Sequence, residues 1–131
     1  MLGALAGDQS GTADMAMGAG SEWLRIDMQE KDSSPLAVPM KITATLTSPS
    51  GTNFDLYAYL GSGIGSIVCS GAKGQSTNPA GQVDTVSFEW GETGGGFANG
   101  KDDSATVMIE VRWVSGACGA ADAWSLAVQG H

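Results

Sequence analysis

Residues 40–48 read "MKITATLTS". Met40, Ile42, Ala44 and Leu46 alternate strictly with Lys41, Thr43, Thr45 and Thr47, the two-residue period of a strand with one buried and one wet face. The same period extends outward on both sides. In "EWLRIDMQ" (22–29), Leu24, Ile26 and Met28 share one face while Trp23, Arg25 and Asp27 share the other. "DTVSFEW" (84–90) aligns Val86, Phe88 and Trp90; "ATVMIEVRWV" (105–114) aligns Val107, Ile109, Val111 and Trp113; "AWSLAVQ" (123–129) aligns Trp124, Leu126 and Val128. "FDLYAYL" (54–60) is a further apolar run, and no helical period of comparable length occurs.

Between the runs lie turn-forming stretches: the run from Asp32 through Ser33 and Ser34 to Pro35, "SPSGTN" (48–53), "SGAKGQSTNPAGQ" (70–82) and "GETGGGFANGKDD" (91–103). Six to eight short strands separated by Gly, Pro, Asn and Ser loops predict an all-β antiparallel sandwich or barrel. At 131 residues the chain is one domain, long enough to bury roughly two-thirds of its unfolded surface. Residues 21–131 carry the sandwich pattern, and residues 1–20 form an N-terminal segment suited to an edge strand. "MLGALAG" has no basic stretch ahead of it and is short for a signal core. It reads as the start of an excised domain, with Met1 and His131 as additions at its ends.

Six Lys and Arg stand against fourteen Asp and Glu, a net charge of −8. Such a surface repels phosphate backbones and anionic bilayers, so nucleic acid is not a predicted partner. No apolar run approaches the roughly 20 residues of a membrane span. With 20 glycines and only 15% charged residues, the composition suits a secreted, extracellular β-protein.

Glycines at 61, 63 and 65 follow the run ending at Leu60. A dinucleotide fingerprint requires G-x-G-x-x-G opening a helix; here the spacing is G-x-G-x-G and the next run, "SIVCSG" (66–71), is short and β-branched. The reading is a hairpin turn followed by a short strand. Ser70 and Lys73 form an S-x-x-K without the partner motifs that give it chemistry. The single histidine is His131, and no G-x-S-x-G occurs. No catalytic centre is predicted.

One His and two Cys cannot supply a four-ligand zinc set, whereas calcium needs only oxygens. "NGKDDS" (99–104) offers Asn99, Asp102 and Asp103, and Asp27, Glu30 and Asp32 gather near a strand end. Both groups serve equally as solvated turn formers. Asp55, an acid within an apolar strand, either accepts bonds from neighbouring loop amides or ligates a cation. The cofactor expectation is therefore none, or Ca²⁺. Among the aromatics, Trp90, Trp113 and Trp124 fall on core-facing positions. Trp23, Tyr57 and Tyr59 fall on the opposite face, as a binding surface for sugar or polypeptide or as phenols buried under loops. Cys69 and Cys118 sit beside strand ends and are read as a disulfide, whose ~50-residue loop would contribute about 4 kcal/mol in the chain-entropy account.

In its order of strands the sequence resembles the bacterial pre-peptidase C-terminal domain family. "FDLYAYL" matches a D-L-Y-like strand, "VMIEVRW" the penultimate strand and "WSLAVQG" the closing strand, with Trp124 where Tyr is usual and with an added cysteine pair. The resemblance implies a jelly-roll-like sandwich of about eight strands, non-catalytic, appended to secreted proteases and other exoenzymes. Some relatives, the collagen-binding modules, bind calcium and a fibrous substrate. The predicted role is a non-catalytic accessory or binding domain whose partners are a parent exoenzyme or extracellular protein or polysaccharide. The rival classes are an autonomous carbohydrate- or protein-binding module and a structural subunit that self-assembles through an edge strand.

Overall fold

The computed structural model describes every residue except Gly94 and Cys118. Nine strands and no helix make up the described chain: β1 (Ala4–Ala6), β2 (Ala13–Gly18), β3 (Glu22–Gln29), β4 (Met40–Thr47), β5 (Asn53–Leu60), β6 (Gly74–Ser76), β7 (Asp84–Trp90), β8 (Ala105–Ser115) and β9 (Trp124–Gly130). They form two sheets packed as a sandwich. The five-stranded sheet has the order β1-β3-β8-β5-β6 and the four-stranded sheet β2-β9-β4-β7. All pairings are antiparallel save β1 beside β3.

The core follows from the alternation. Ile26 and Met28 of β3, Val107, Ile109 and Val111 of β8, Phe54 and Leu56 of β5, and Trp124, Leu126 and Val128 of β9 are all fully buried between the sheets. From β4, Met40, Ile42, Ala44 and Leu46 meet them. Each buried aliphatic or aromatic side chain contributes about 1.5–3 kcal/mol relative to exposure. The N-terminal segment joins the same core, for Leu2 and Leu5 pack into it and β1 and β2 lie at one edge of each sheet.

Two expectations from periodicity are corrected. Trp113 is 42% exposed, because β3 begins only at Glu22, opposite Val111, and leaves the last residues of β8 uncovered on that side. The run "SIVCSG" forms no strand; β6 starts only at Gly74, and Ile67 is exposed. The glycines before it do make a turn. Gly65 adopts a φ of 84° and donates its N–H to Thr106 Oγ1 at 2.8 Å, while Ser66 N–H bonds Gly63 O at 3.2 Å. This tethers residues 61–66 to β8.

The outer faces of the two sheets differ. That of the four-stranded sheet carries Thr, Ser and Ala, with Met15 and Met17 exposed on β2. That of the five-stranded sheet carries aromatic and charged side chains, and it is the more elaborate surface.

Candidate binding face

Parity places Trp23, Arg25 and Asp27 of β3 on this outer face, beside Thr106, Met108, Glu110 and Arg112 of the central strand β8 and Asp55, Tyr57 and Tyr59 of β5. Register sets them in rows: Trp23, Glu110 and Tyr57 lie abreast, as do Arg25, Met108 and Tyr59. Trp23 leans across β8 onto Tyr59, with ring centroids 5.2 Å apart and planes tilted 32°. Trp23 is 44% exposed and Tyr59 only 5%. The three aromatic candidates thus share a face but not a role. Trp23 is presented, Tyr59 is the floor beneath it, and half-buried Tyr57 is capped by Arg112, whose guanidinium carbon stands 4.2 Å above its ring.

Two Arg–carboxylate pairs hold this array. Arg112 donates from Nε and Nη2 to the two oxygens of Glu110, each at 2.9 Å. The Tyr59 hydroxyl donates to Glu110 Oε2 at 2.7 Å. Burial pushes the Glu110 carboxyl up, but Arg112 and Tyr59 together outweigh it and hold the group below its ordinary value. Arg25 grips Asp27 through Nε and Nη2, with a closest approach of 2.8 Å, and Thr106 Oγ1 donates to Asp27 Oδ1 at 2.6 Å. The Arg25 bond, against the opposing effect of burial, keeps Asp27 low. Charge-assisted forked bonds of this kind fix the guanidinium planes and leave their outer N–H groups free to meet a ligand.

Burial, and then the Glu110 carboxylate, push the Tyr59 phenol up to about 12 from 10.0. A group whose folded value is raised contributes stability that is fully present below its unfolded value. That contribution is lost as pH rises from about 10 to about 12. Alkaline titration followed by tyrosinate absorbance is therefore expected to show a late ionisation near pH 12 that Tyr59→Phe removes. If Tyr59→Phe leaves the whole titration curve unchanged, this description of the floor is wrong.

The acids considered for calcium are distributed differently. Asp27 belongs to the Arg25 pair. Glu30 and Asp32, from the end of β3, do meet Asp102 from the loop before β8, around an open depression of about 520 Å³ also lined by Gln29, Lys31, Ile64 and Ser104. Their oxygens serve the loops. Glu30 Oε2 accepts the Asp103 N–H at 2.7 Å, Asp32 Oδ1 accepts that of Ser34 at 3.1 Å, and Asp102 Oδ1 that of Ser104 at 2.9 Å. Ser104, through its side chain first and then this N–H, holds the Asp102 carboxyl low. Asn99 Oδ1 likewise accepts from Lys101 N–H at 2.6 Å. Among the described residues no three His, Cys, Asp or Glu side chains converge on one point.

Asp55 sits apart, on the outer face, with the Tyr57 hydroxyl at 3.5 Å. Burial and then the charge of Asp84 raise its carboxyl. Asp84 itself, fully buried, accepts from Ser76 Oγ at 2.6 Å and Asn78 N–H at 2.8 Å. Neither Asp84 nor Asp8, which anchors the amides of Lys31 and Asp32, stands out in the sequence, because both resemble ordinary turn acids. The predicted Cys69–Cys118 bridge involves a residue outside those described; Cys69 is exposed with a free thiol. Ser70 and Lys73 lie in an exposed loop, and His131 is exposed at the last position.

No family model and no curated protein sequence matches the chain. Among solved structures, the pre-peptidase C-terminal domain of collagenase from Bacillus anthracis aligns over 95% of this chain and 90% of its own, at 8% identity and a TM-score of 0.46. A nora virus structure aligns over 88% of this chain and 57% of its own, at 14% identity and a TM-score of 0.36. Infectious bursal disease virus, Gt strain, aligns over 95% of this chain and 34% of its own, at 15% identity and a TM-score of 0.31.

Proposed function

We propose that this chain is a non-catalytic binding domain of a secreted bacterial protein, which attaches its parent to extracellular polymer through the outer face of the five-stranded sheet. The observation that carries the reading is the exposed Trp23 ring, braced from below by Tyr59 and flanked by Arg25 and Arg112, each immobilised by its own carboxylate. A rigid aromatic plane with fixed N–H donors beside it combines stacking area with directional bonds to hydroxyl or carbonyl groups. A ligand laid along an open sheet face is an extended chain more readily than a small molecule, which takes a concave pocket. A net charge of −8 selects against polyanions and in favour of a neutral polysaccharide or a polypeptide. The sequence resemblance to accessory domains supports an exoenzyme as parent.

The test is depletion of the purified chain by cellulose, chitin and fibrillar collagen. Retention on at least one is expected, and Trp23→Ala should weaken it by about ten-fold or more, equivalent to at least ~1.4 kcal/mol. Arg112→Ala should act in the same direction. Retention that survives both substitutions would refute this face as the binding surface.

A further inference from the structure

We propose that a Ca²⁺ site lies where the terminal strands β6 and β7 of the two sheets meet, built by Asp84 of β7 with Asp55 and Asn53 of β5. Asp84 is the starting point. It is fully buried, and its Oδ1 alone takes both of its bonds, from Ser76 Oγ at 2.6 Å and Asn78 N–H at 2.8 Å. Its Oδ2 is buried with no hydrogen-bond partner. Among the described residues no Lys or Arg pairs with it. A carboxylate taken out of water with one oxygen unanswered is costly unless a cation or a proton answers it.

The surroundings choose between the two. Ser76 stands opposite Leu56, so the chain running on from Ser76 to Asn78, which carries both bonds to Asp84, leaves the sheet beside Asp55. The Asp55 carboxyl is raised by burial first and then by the charge of Asp84. Asn53 turns its Nδ2 toward Asp55 Oδ1 at 3.5 Å and leaves its own Oδ1 buried and unbonded. Two of the three partnerless buried oxygens among the described residues thus belong to side chains around Asp55. Arg112, opposite Asp55 on β8, gives Nε and Nη2 to Glu110. A proton on Asp84 would answer one oxygen and leave Asn53 Oδ1 alone. A hard cation answers both and relieves the repulsion between the two carboxylates. Two carboxylates and an amide carbonyl, completed by water, suit the irregular six- to eight-oxygen shell of Ca²⁺, whereas Mg²⁺ demands a tighter octahedron. The bound ion would tie the two sheets together at this margin, since Asp84 comes from one and its partners from the other.

The inference does not depend on which polymer Trp23 meets. It is tested by calorimetric titration of the EDTA-stripped full chain with CaCl₂ and by melting in EDTA, CaCl₂ and MgCl₂ at matched ionic strength. One Ca²⁺ per chain is expected, with a Kd of about 0.1–1 mM, the range of extracellular modules. At ~10 mM CaCl₂ the Tm should rise by about 4–12 °C, and by less in MgCl₂. Asp84→Asn and Asp55→Asn should each weaken binding by about ten-fold or more. Both should melt at or above the unsubstituted chain in EDTA and below it in calcium, a reversal that a purely structural role would not produce. Asn53→Asp adds a third carboxylate, so it should bind calcium more tightly while melting lower in EDTA. Asp102→Asn, in the depression beside Glu30 and Asp32, should change the affinity less than about two-fold. Circular dichroism checks folding, and if Asp84→Asn does not fold, Asp55→Asn and Asn53→Asp decide. Equal melts in EDTA and calcium with no heat of binding overturn the proposal and leave a proton or a water as the partner of Asp84. Calcium binding that survives Asp55→Asn, or that is lost in Asp102→Asn, overturns it in favour of another site.

Discussion

Trp124→Ala is expected to destabilise the domain by about 3–5 kcal/mol, the range for removing a large aromatic from a close-packed core. Trp124 is fully buried on β9, the strand between β2 and β4. Its indole N–H donates to Gly20 O at 2.8 Å, so the ring both fills the core and ties down the turn between the two sheets. Gly18 lies flat against it, so close that a Cβ built there would collide with Cζ2. Truncation therefore opens a cavity and removes the donor of a half-buried carbonyl together. For a domain of this size the loss corresponds to a fall in Tm of roughly 10–20 °C. Trp124→Phe keeps most of the volume and loses the bond, at a cost of about 1–2 kcal/mol. Chemical denaturation of both variants checks the pair. A loss below about 1 kcal/mol for Trp124→Ala would show that the ring is not the keystone described.

Long strands were legible in the sequence because one face of each is buried, and burial forces alternation. That is why the phases of β3, β4 and β9 can be read directly from Leu24, Ile42 and Leu126 and their neighbours. Three-residue strands are too short to hold a period. β1 exists because β3 offers it a partner at Asp27–Gln29, and β6 because β5 does so at Leu56–Ala58. Trp113, in the long strand β8, misleads for a different reason. Alternation reports the side a residue points to, whereas exposure depends on what a neighbouring strand covers.

The binding face was legible in part. Parity alone separates Trp23, Tyr57 and Tyr59 from the core. It cannot tell that Tyr59 is the floor and Trp23 the contact, since this depends on a lean across β8 between residues 36 positions apart. The acidic groups show the converse. Glu30 and Asp102 are remote in sequence, yet the pairing of Met28 with Ala105 brings the end of β3 to the start of β8. Knowledge of register would have joined them, but only hydrogen-bond geometry reveals that their oxygens serve loop amides.

Gly130→Ala should be nearly as costly as Trp124→Ala, for a reason confined to the backbone. Gly130 closes β9, bonding Thr12 O through its N–H at 3.0 Å and lying opposite Ile42 of β4. A Cβ built there overlaps Ala6 O outright and falls 2.8 Å from Thr12 Oγ1. The first is a main-chain atom, held in place by the Thr12 hydroxyl at 2.9 Å and by the pairing of β1 with β3. Residues 6–12 must therefore shift, and the cheapest movement lifts β1 from its edge. That exposes Leu2 and Leu5, each worth about 1.5–3 kcal/mol when buried, so a loss of roughly 3–5 kcal/mol follows. The mechanism has a distinctive signature. Deleting residues 1–7 destabilises the domain by itself but removes the obstructing carbonyl, so Gly130→Ala should cost little further in the shortened chain. The two changes are then strongly non-additive, with a coupling of about 2–3 kcal/mol in a double-mutant cycle. Early proteolysis within the first dozen residues of Gly130→Ala, ahead of global unfolding, would accompany it. Additive losses in the cycle would instead mean that the methyl group is accommodated at β9 without displacing β1.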